Sequence, residues 1–302
     1  MTEEKYRFGM VTLVGRPNVG KSSILNELVG RKVSITSRRP QTTRHRVLGV
    51  WSTDTAQVVF VDTPGIHNPA GRAINRVLNQ TAQASIGGVD LVLMVADARG
   101  WQDEDERALK AINGGSPLPV WLVLNKIDLL RKTEMVLPLI DKVNSNYDFE
   151  KIIPISARSG WNLDQLSRLL HSAMPEGPPG FPLGEQGVSD SKFIAAEFIR
   201  EQIFRQVGDE IPYSTAVDVL SCIEDPNGLV SISAEIWCEN SGQKTILIGK
   251  SGSRLKSIGS RARYEIERYL GKKVHLEQWI KIRRGWSNDL QILHNMGKST
   301  VE

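Results

Sequence analysis

Cysteine is nearly absent from this chain of 302 residues. The two present, Cys222 and Cys238, stand in strand-like apolar runs and fit neither a disulfide framework nor a zinc site, so a reducing cytosol is the expected compartment. No uninterrupted apolar stretch reaches the length of a membrane span. The opening MTEEKYRFG mixes acids with bases, unlike a secretory leader, and the chain is expected to be neither secreted nor integral to a membrane. No recognition-helix signature accompanies its basic residues, which weighs against a DNA-binding regulator. What is present is ordinary in bulk, with 40% apolar and 24% charged residues, and long enough for two domains with a core each. The net charge of +4 is unevenly spread: residues 186–241 hold 3 Lys/Arg against 10 Asp/Glu, residues 242–302 hold 13 against 5. A basic C-terminal block suggests a polyanion-binding face, with a solvated surface as the plainer alternative.

One stretch organises the rest. Gly15-Arg16-Pro17-Asn18-Val19-Gly20-Lys21-Ser22 matches G-x-x-x-x-G-K-[ST] and follows the apolar run Met10, Val11, Leu13 and Val14, the context of a phosphate-binding loop. Backbone N–H groups at the start of a helix make an anion nest, strengthened by the helix dipole. Lys21 is then placed to reach terminal phosphates and Ser22 to ligate magnesium, with Gly15, Asn18, Val19, Gly20 and Ser23 completing the cradle. Ile24, Leu25 and Leu28 share a face of a helix expected from Lys21 to about Val29. The polar loop 30–45 contains Thr42 and Thr43 among several basic residues. Alone it reads as a solvated linker; beside a phosphate loop it becomes a candidate switch in which one threonine, Thr43 by preference, ligates magnesium.

A strand over 57–61 ends in Asp62-Thr63-Pro64-Gly65. Asp62 is placed to hold magnesium and Gly65 to bring its N–H to a terminal phosphate. The run 90–96 lacks alternation, as a parallel strand buried on both faces should. After a helix over 103–113, a strand over 120–124 delivers Asn125-Lys126-Ile127-Asp128. A carboxylate there accepts from N1–H and the N2 amino group of guanine, a donor pair that adenine lacks, so Asp128 selects guanine. A last strand, 152–155, leads to Ser156-Ala157-Arg158, where a backbone N–H reaches guanine O6. Ile66 stands where many GTPases carry a water-orienting Gln, and an aliphatic side chain cannot orient water; turnover is expected to be slow. His67 is read as incidental. Together the motifs resemble those of translation-factor-type GTPases, which implies a doubly wound, mostly parallel α/β sheet with ligand at its carboxyl edge. They also imply catalytic roles for Lys21, Thr43 and Gly65, with Ser22, Thr43 and Asp62 on the metal.

Pro and Gly concentrate after a helix at 162–174, marking a boundary between a domain over 1–175, a linker over 176–190 and a second domain over 191–302. The second opens with a helix over 191–207 whose apolar stripe is core, followed by strands near 216–224 and 230–239. The run Thr245-Ile246-Leu247-Ile248 reads as a strand entering Gly249-Lys250-Ser251-Gly252, then a basic amphipathic helix with Arg254 and Lys256. This G-x-x-G resembles the loop of a K homology domain of the second topological type, an α+β fold that clamps single-stranded nucleic acid. The resemblance implies RNA contacts from Ile248, Gly249, Lys250, Ser251, Gly252, Arg254 and Lys256, with Lys272, Lys273, Lys281, Arg283 and Arg284 as candidates to extend the surface.

One GTPase domain joined to such a domain is the arrangement of the Era family of ribosome-assembly GTPases, which this sequence resembles over about residues 7–290. That resemblance implies GTP/GDP and Mg2+ as ligands and binding to the 3′ end of small-subunit ribosomal RNA during maturation of the subunit. It further implies a monomer in the cytoplasm with peripheral contact to the inner face of the cell membrane. Asn18 occupies a position that holds K+ in related GTPases, or serves only to stabilise the loop turn. An RNA-binding scaffold with a merely structural nucleotide is the alternative in another class.

Overall fold

The first sheet is built from four largely apolar inner strands and two short edge strands. The computed structural model describes residues 5–37, 39, 42–65, 85, 87–113, 118–187, 190–208, 210–286 and 289. It divides into two compact units, the second beginning beyond residue 188 and also including Ile35–Thr42.

In the first unit, β1 (Arg7–Val14), β3 (Ala56–Asp62), β4 (Leu91–Asp97), β5 (Val120–Asn125) and β6 (Lys151–Pro154) run parallel, and β2 (Val47–Ser52) pairs antiparallel to β3 at the edge. The order is β2-β3-β1-β4-β5-β6. Every residue of β3 and β4 is buried, which is why these strands show no alternation. Helices α1 (Lys21–Val29), α2 (Asp103–Asn113) and α3 (Leu137–Asn146) lie between these strands in the chain, and α4 (Leu163–Ala173) follows β6. Because the strands are parallel, the loops after β1, β3, β5 and β6 all emerge at one edge.

The Pro/Gly stretch is laid along this unit over its described part. Phe8 donates to the Pro175 carbonyl, Gly177 to Tyr6 and Val50 to Gln186. Gln57, fully buried, holds it further: Oε1 accepts from the N–H groups of Gly180 and Phe181, and Nε2 donates to the Phe181 carbonyl.

The second unit is a three-stranded sheet, β7 (Ala216–Glu224) antiparallel to β8 (Val230–Cys238), which is parallel to β9 (Val274–Ile282). Its core joins the inward residues of the sheet to α5 (Ser191–Gln206), α6 (Ser241–Ile248) and α7 (Ser253–Leu270). Two expectations are corrected here. The run Thr245–Ile248 is the end of α6 and not a strand; Asn240 caps that helix by accepting from the Gln243 N–H, and only Leu247 is buried. The expected single apolar stripe of α5 is too narrow, because Glu197, Arg200, Glu201 and Gln202 are buried as well. The segment 35–42 accounts for them: Ile35 joins the core, Thr36 donates its N–H to Glu201, and Arg200, paired with Glu197, donates to the Thr42 carbonyl. Burial pushes the thiols of Cys222 and Cys238 up. Among the described residues no three His, Cys, Asp or Glu cluster as a metal site, and no helix is long and apolar enough to cross a membrane.

Candidate nucleotide site and nucleic-acid interface

The carboxyl edge of the first sheet gathers the predicted phosphate and metal residues. Lys21, first residue of α1, is 6% exposed, and its Nζ donates to the carbonyls of Gly15 at 2.9 Å and Arg16 at 3.1 Å. Burial pushes its ammonium down to about 8, against the pull of Asp62. Asp62, at the end of β3, is fully buried; burial raises its carboxyl while hydroxyls draw it back. Its Oδ2 accepts from Ser22 at 2.6 Å and Ser34 at 2.8 Å, with Thr43 at 3.5 Å, and Ser22 and Thr43 share a hydrogen bond of 3.0 Å. Its Oδ1 is buried without a partner. Two hydroxyls and a carboxylate oxygen with unused capacity are the donor set of a hard divalent cation, so these residues fit Mg2+. Lys21 and the N–H groups at the start of α1 fit a triphosphate.

The two threonines differ. Thr42 Oγ1 donates to the Arg39 carbonyl at 2.7 Å and lies 2.6 Å from Ser37 Oγ, so Thr42 does not join this cluster. Thr63 is a tie within the sheet, donating to the Leu13 carbonyl at 2.8 Å. Pro64 follows it in the turn. A Cβ on Gly65 would stand 2.9 Å from Pro17 N, so glycine is required there by the phosphate loop itself. Ser23 lies half-buried on α1. Ile66 and His67 lie outside the described residues.

At the base-recognition end, Asn125 Nδ2 donates to the Val19 carbonyl at 2.8 Å and Oδ1 accepts from Ala157 N at 3.0 Å. The Ala157 N–H thus ties the loop after β6 to Asn125. Lys126 donates to the Asn18 carbonyl and, at 3.0 Å, to Asp97. Although burial opposes it, hydrogen bonds from Arg99 and Lys126 hold the Asp97 carboxyl below the usual range. These bonds staple the loop after β5 to the phosphate loop. Asp128 is exposed and accepts from Ser156 Oγ at 2.7 Å, leaving its second oxygen for a ligand. Arg158 is exposed. Asn18 has an exposed side chain on a backbone with φ 63°, a left-handed conformation that asparagine adopts more readily than most residues. Sequence reasoning missed Ser34 and Asp97. Asp97 had a signal, a carboxylate at the end of a buried strand; an isolated serine in a polar loop has none.

In the second unit the G-x-x-G turn joins α6 to α7. Gly249 has φ 72° and ψ 179°, a conformation open essentially to glycine, and a Cβ there would lie 2.7 Å from Arg254 Cβ. Gly252 is left-handed at φ 77° and starts α7. Ile248 packs against the core, Lys250 and Ser251 are exposed, and Arg254 donates to the Ile246 carbonyl, closing the end of α6. A groove of about 380 Å³ follows, lined by Gly252, Leu255, Lys256, Gly259, Arg263 and Gln278. Three of the outlying cations are engaged elsewhere: Lys272 with Glu224, Lys281 with Glu235, and Arg283 over the Trp237 ring. Gly249→Ala is expected to weaken single-stranded RNA binding at least about tenfold, since the strain of about 1–3 kcal/mol can be relieved only by moving the turn. Fluorescence anisotropy with labelled RNA measures it, with GTP hydrolysis in the absence of RNA unchanged.

Known proteins match both parts of the chain. Residues 10–126 match the family described as 50S ribosome-binding GTPase, and residues 210–287 match the KH domain family. GTPase Era of Stenotrophomonas maltophilia is 47% identical over 291 residues, 96% of each chain. GTPase Era of Histophilus somni is 42% identical over 98% of this chain and 99% of its own. A crystal structure of Aquifex aeolicus Era bound to GDP and AlF4− superposes with a TM-score of 0.93 at 38% identity, covering 96% of this chain and 99% of that one. A structure of Era in complex with MgGDPNP and nucleotides 1506–1542 of 16S ribosomal RNA also gives 0.93, at 38% identity over 97% of this chain and 99% of that one. The chain is a GTPase and belongs to the Era family.

Proposed function

We propose that this chain is a GTP-hydrolysing switch that binds single-stranded RNA at the 3′ end of small-subunit ribosomal RNA and acts in maturation of that subunit. What carries the reading is that a Lys21–Ser22–Thr43–Asp62 cluster and a glycine-dependent G-x-x-G turn over a basic groove occur in one chain. The GTPase part is residues 1–175 and the RNA-binding part 191–302, with 176–190 between them. Asp128 reads guanine and Asn125 holds the phosphate loop in register with it. Ser22, Thr43 and Asp62 hold Mg2+, which when bound neutralises charge on the phosphate oxygens. Lys21 and the loop N–H groups take the charge that develops as water attacks the γ-phosphate in line, and Gly65 brings its N–H to the same phosphate.

Thr43 orders the loop at the nucleotide through its hydrogen bonds with Ser22 and Asp62. With Ile66 after Gly65, unstimulated hydrolysis is slow and RNA raises it. K+ at Asn18 is a second route to stimulation. The protein works as a cytoplasmic monomer with peripheral contact to the inner membrane face. Phosphate release with and without a 3′-terminal ribosomal RNA fragment tests this: stimulation supports the switch, and no release in either condition supports an RNA-binding scaffold. Equal rates in K+ and Na+, for the wild type and for Asn18→Ala, would remove the cation role.

A further inference from the structure

Helix α7 carries more positive charge than its groove uses. Lys256, Ser260 and Arg263 lie on the edge that lines the groove. About 100° around the helix, Arg261, Tyr264 and Arg268 form a second row at i, i+3 and i+7. All three are exposed, Tyr264 by 63%. The inward face of the helix is fixed by Ile258, Ala262 and Ile266, each fully buried, so Tyr264 has no share in the core. Its phenol ring stands on the helix surface with a guanidinium one turn before it and another one turn after it.

A lone exposed aromatic needs no explanation, but one flanked on its own row by two arginines matches the chemistry of a nucleotide: a flat π-face for a base and cations for the phosphates on either side. Arg261 and Arg268 are about 10 Å apart along the axis, a span that leaves room for a base between them. The row is continuous with the groove, because Arg263 lines the groove and is the residue before Tyr264. A G-x-x-G loop clamps about four nucleotides, so a longer strand must leave the groove, and a base that leaves it gains by stacking again.

We infer that the row Arg261–Tyr264–Arg268 is a second RNA contact, which stacks one unpaired base on Tyr264 and holds its flanking phosphates on the two arginines. The inference rests on the reading that the groove binds single-stranded RNA. An acidic peptide would satisfy the arginines but offers no ring to Tyr264.

The test is anisotropy on the full chain with two single strands from the 3′-terminal region of small-subunit ribosomal RNA, one of six nucleotides and one of fourteen. Tyr264→Ala should weaken the longer strand about tenfold and leave the shorter within about twofold. Tyr264→Phe should bind both as the wild type does. Arg261→Ala with Arg268→Ala should lower the salt slope of the longer strand by about 1.4, at about 0.7 for each phosphate no longer neutralised. If wild-type protein binds both strands and Tyr264→Ala changes neither, or weakens both equally, the second RNA contact is wrong while the groove reading stands. If Tyr264→Phe is as weak as Tyr264→Ala, stacking is wrong. If wild-type protein binds neither strand, the groove reading fails and takes this inference with it.

Discussion

Asp128→Asn will bind GDP at least about 100-fold more weakly than the wild type and will bind the xanthine nucleotide more tightly than GDP. The carboxylate has one oxygen accepting from Ser156 Oγ and is otherwise exposed, so it can accept two further hydrogen bonds from a base without rearrangement. Guanine presents two donors at its N1–H and N2 amino group. An asparagine amide keeps its oxygen for the Ser156 hydroxyl and turns its NH2 toward the base, where donor meets donor. Losing two such bonds costs about 3 kcal/mol, which is about 100-fold. Xanthine carries a carbonyl in place of the amino group, and that acceptor restores the match. Because Asp128 is on the surface, the substitution leaves the fold unchanged, and titration with fluorescent nucleotides reads recognition directly. GDP affinity within threefold of the wild type would mean that Asp128 does not contact the base.

The core of the first sheet could be read from the sequence because β1, β3, β4 and β5 are largely apolar, and β1 leads directly into a motif while β3 and β5 end on one, so strand and chemistry mark the same boundary there. The edge strand β2 could not, since Val47–Ser52 is short, contains Gly49 and is a strand only by pairing with β3. The four residues Thr245–Ile248 are too few for periodicity to separate helix from strand. The deciding signal was polar and lay upstream, at Asn240, whose side chain caps α6. Glu197, Arg200 and Glu201 fall outside the apolar stripe of α5, and nothing in the sequence says that Thr36 and Thr42 bond to Glu201 and Arg200. The same tertiary fact separates Thr42 from Thr43: two adjacent hydroxyls have equal claims on paper, and only the hold of Arg200 on the Thr42 carbonyl shows which way the loop turns. Motif spacing thus marks the loops at the carboxyl edge of the sheet. The internal ties that give a loop one conformation, Asn125 to Val19 and Lys126 to Asn18, come from side chains whose partners are about a hundred residues away.

Lys21→Ala will lower single-turnover phosphate release about 1000-fold, the largest effect expected of any substitution in the chain. Its Nζ is the cation at the start of α1, held by the Gly15 and Arg16 carbonyls at 2.9 and 3.1 Å and hidden from solvent. A unit charge about 4 Å from a phosphoryl oxygen is worth about 4 kcal/mol at an effective dielectric constant of about 20, or about 1000-fold if that attraction grows with the charge of the transition state. The loss will not be one of folding. Burial already disfavours the ammonium, pushing its pKa down to about 8, so removing it relieves a desolvation cost while leaving two carbonyls without a donor. These effects oppose each other, and the thermal midpoint without nucleotide should move by only a few degrees. Lys21→Arg will not restore turnover, because a planar guanidinium cannot take the place of a compact ammonium between two carbonyls about 3 Å away. Lys250→Ala, with an exposed cation in the other unit, is the control and should hydrolyse GTP at the wild-type rate in the absence of RNA. Turnover of Lys21→Ala within tenfold of the wild type would show that the loop N–H groups alone stabilise the transferring phosphoryl group, and the role assigned to Lys21 would have to be withdrawn.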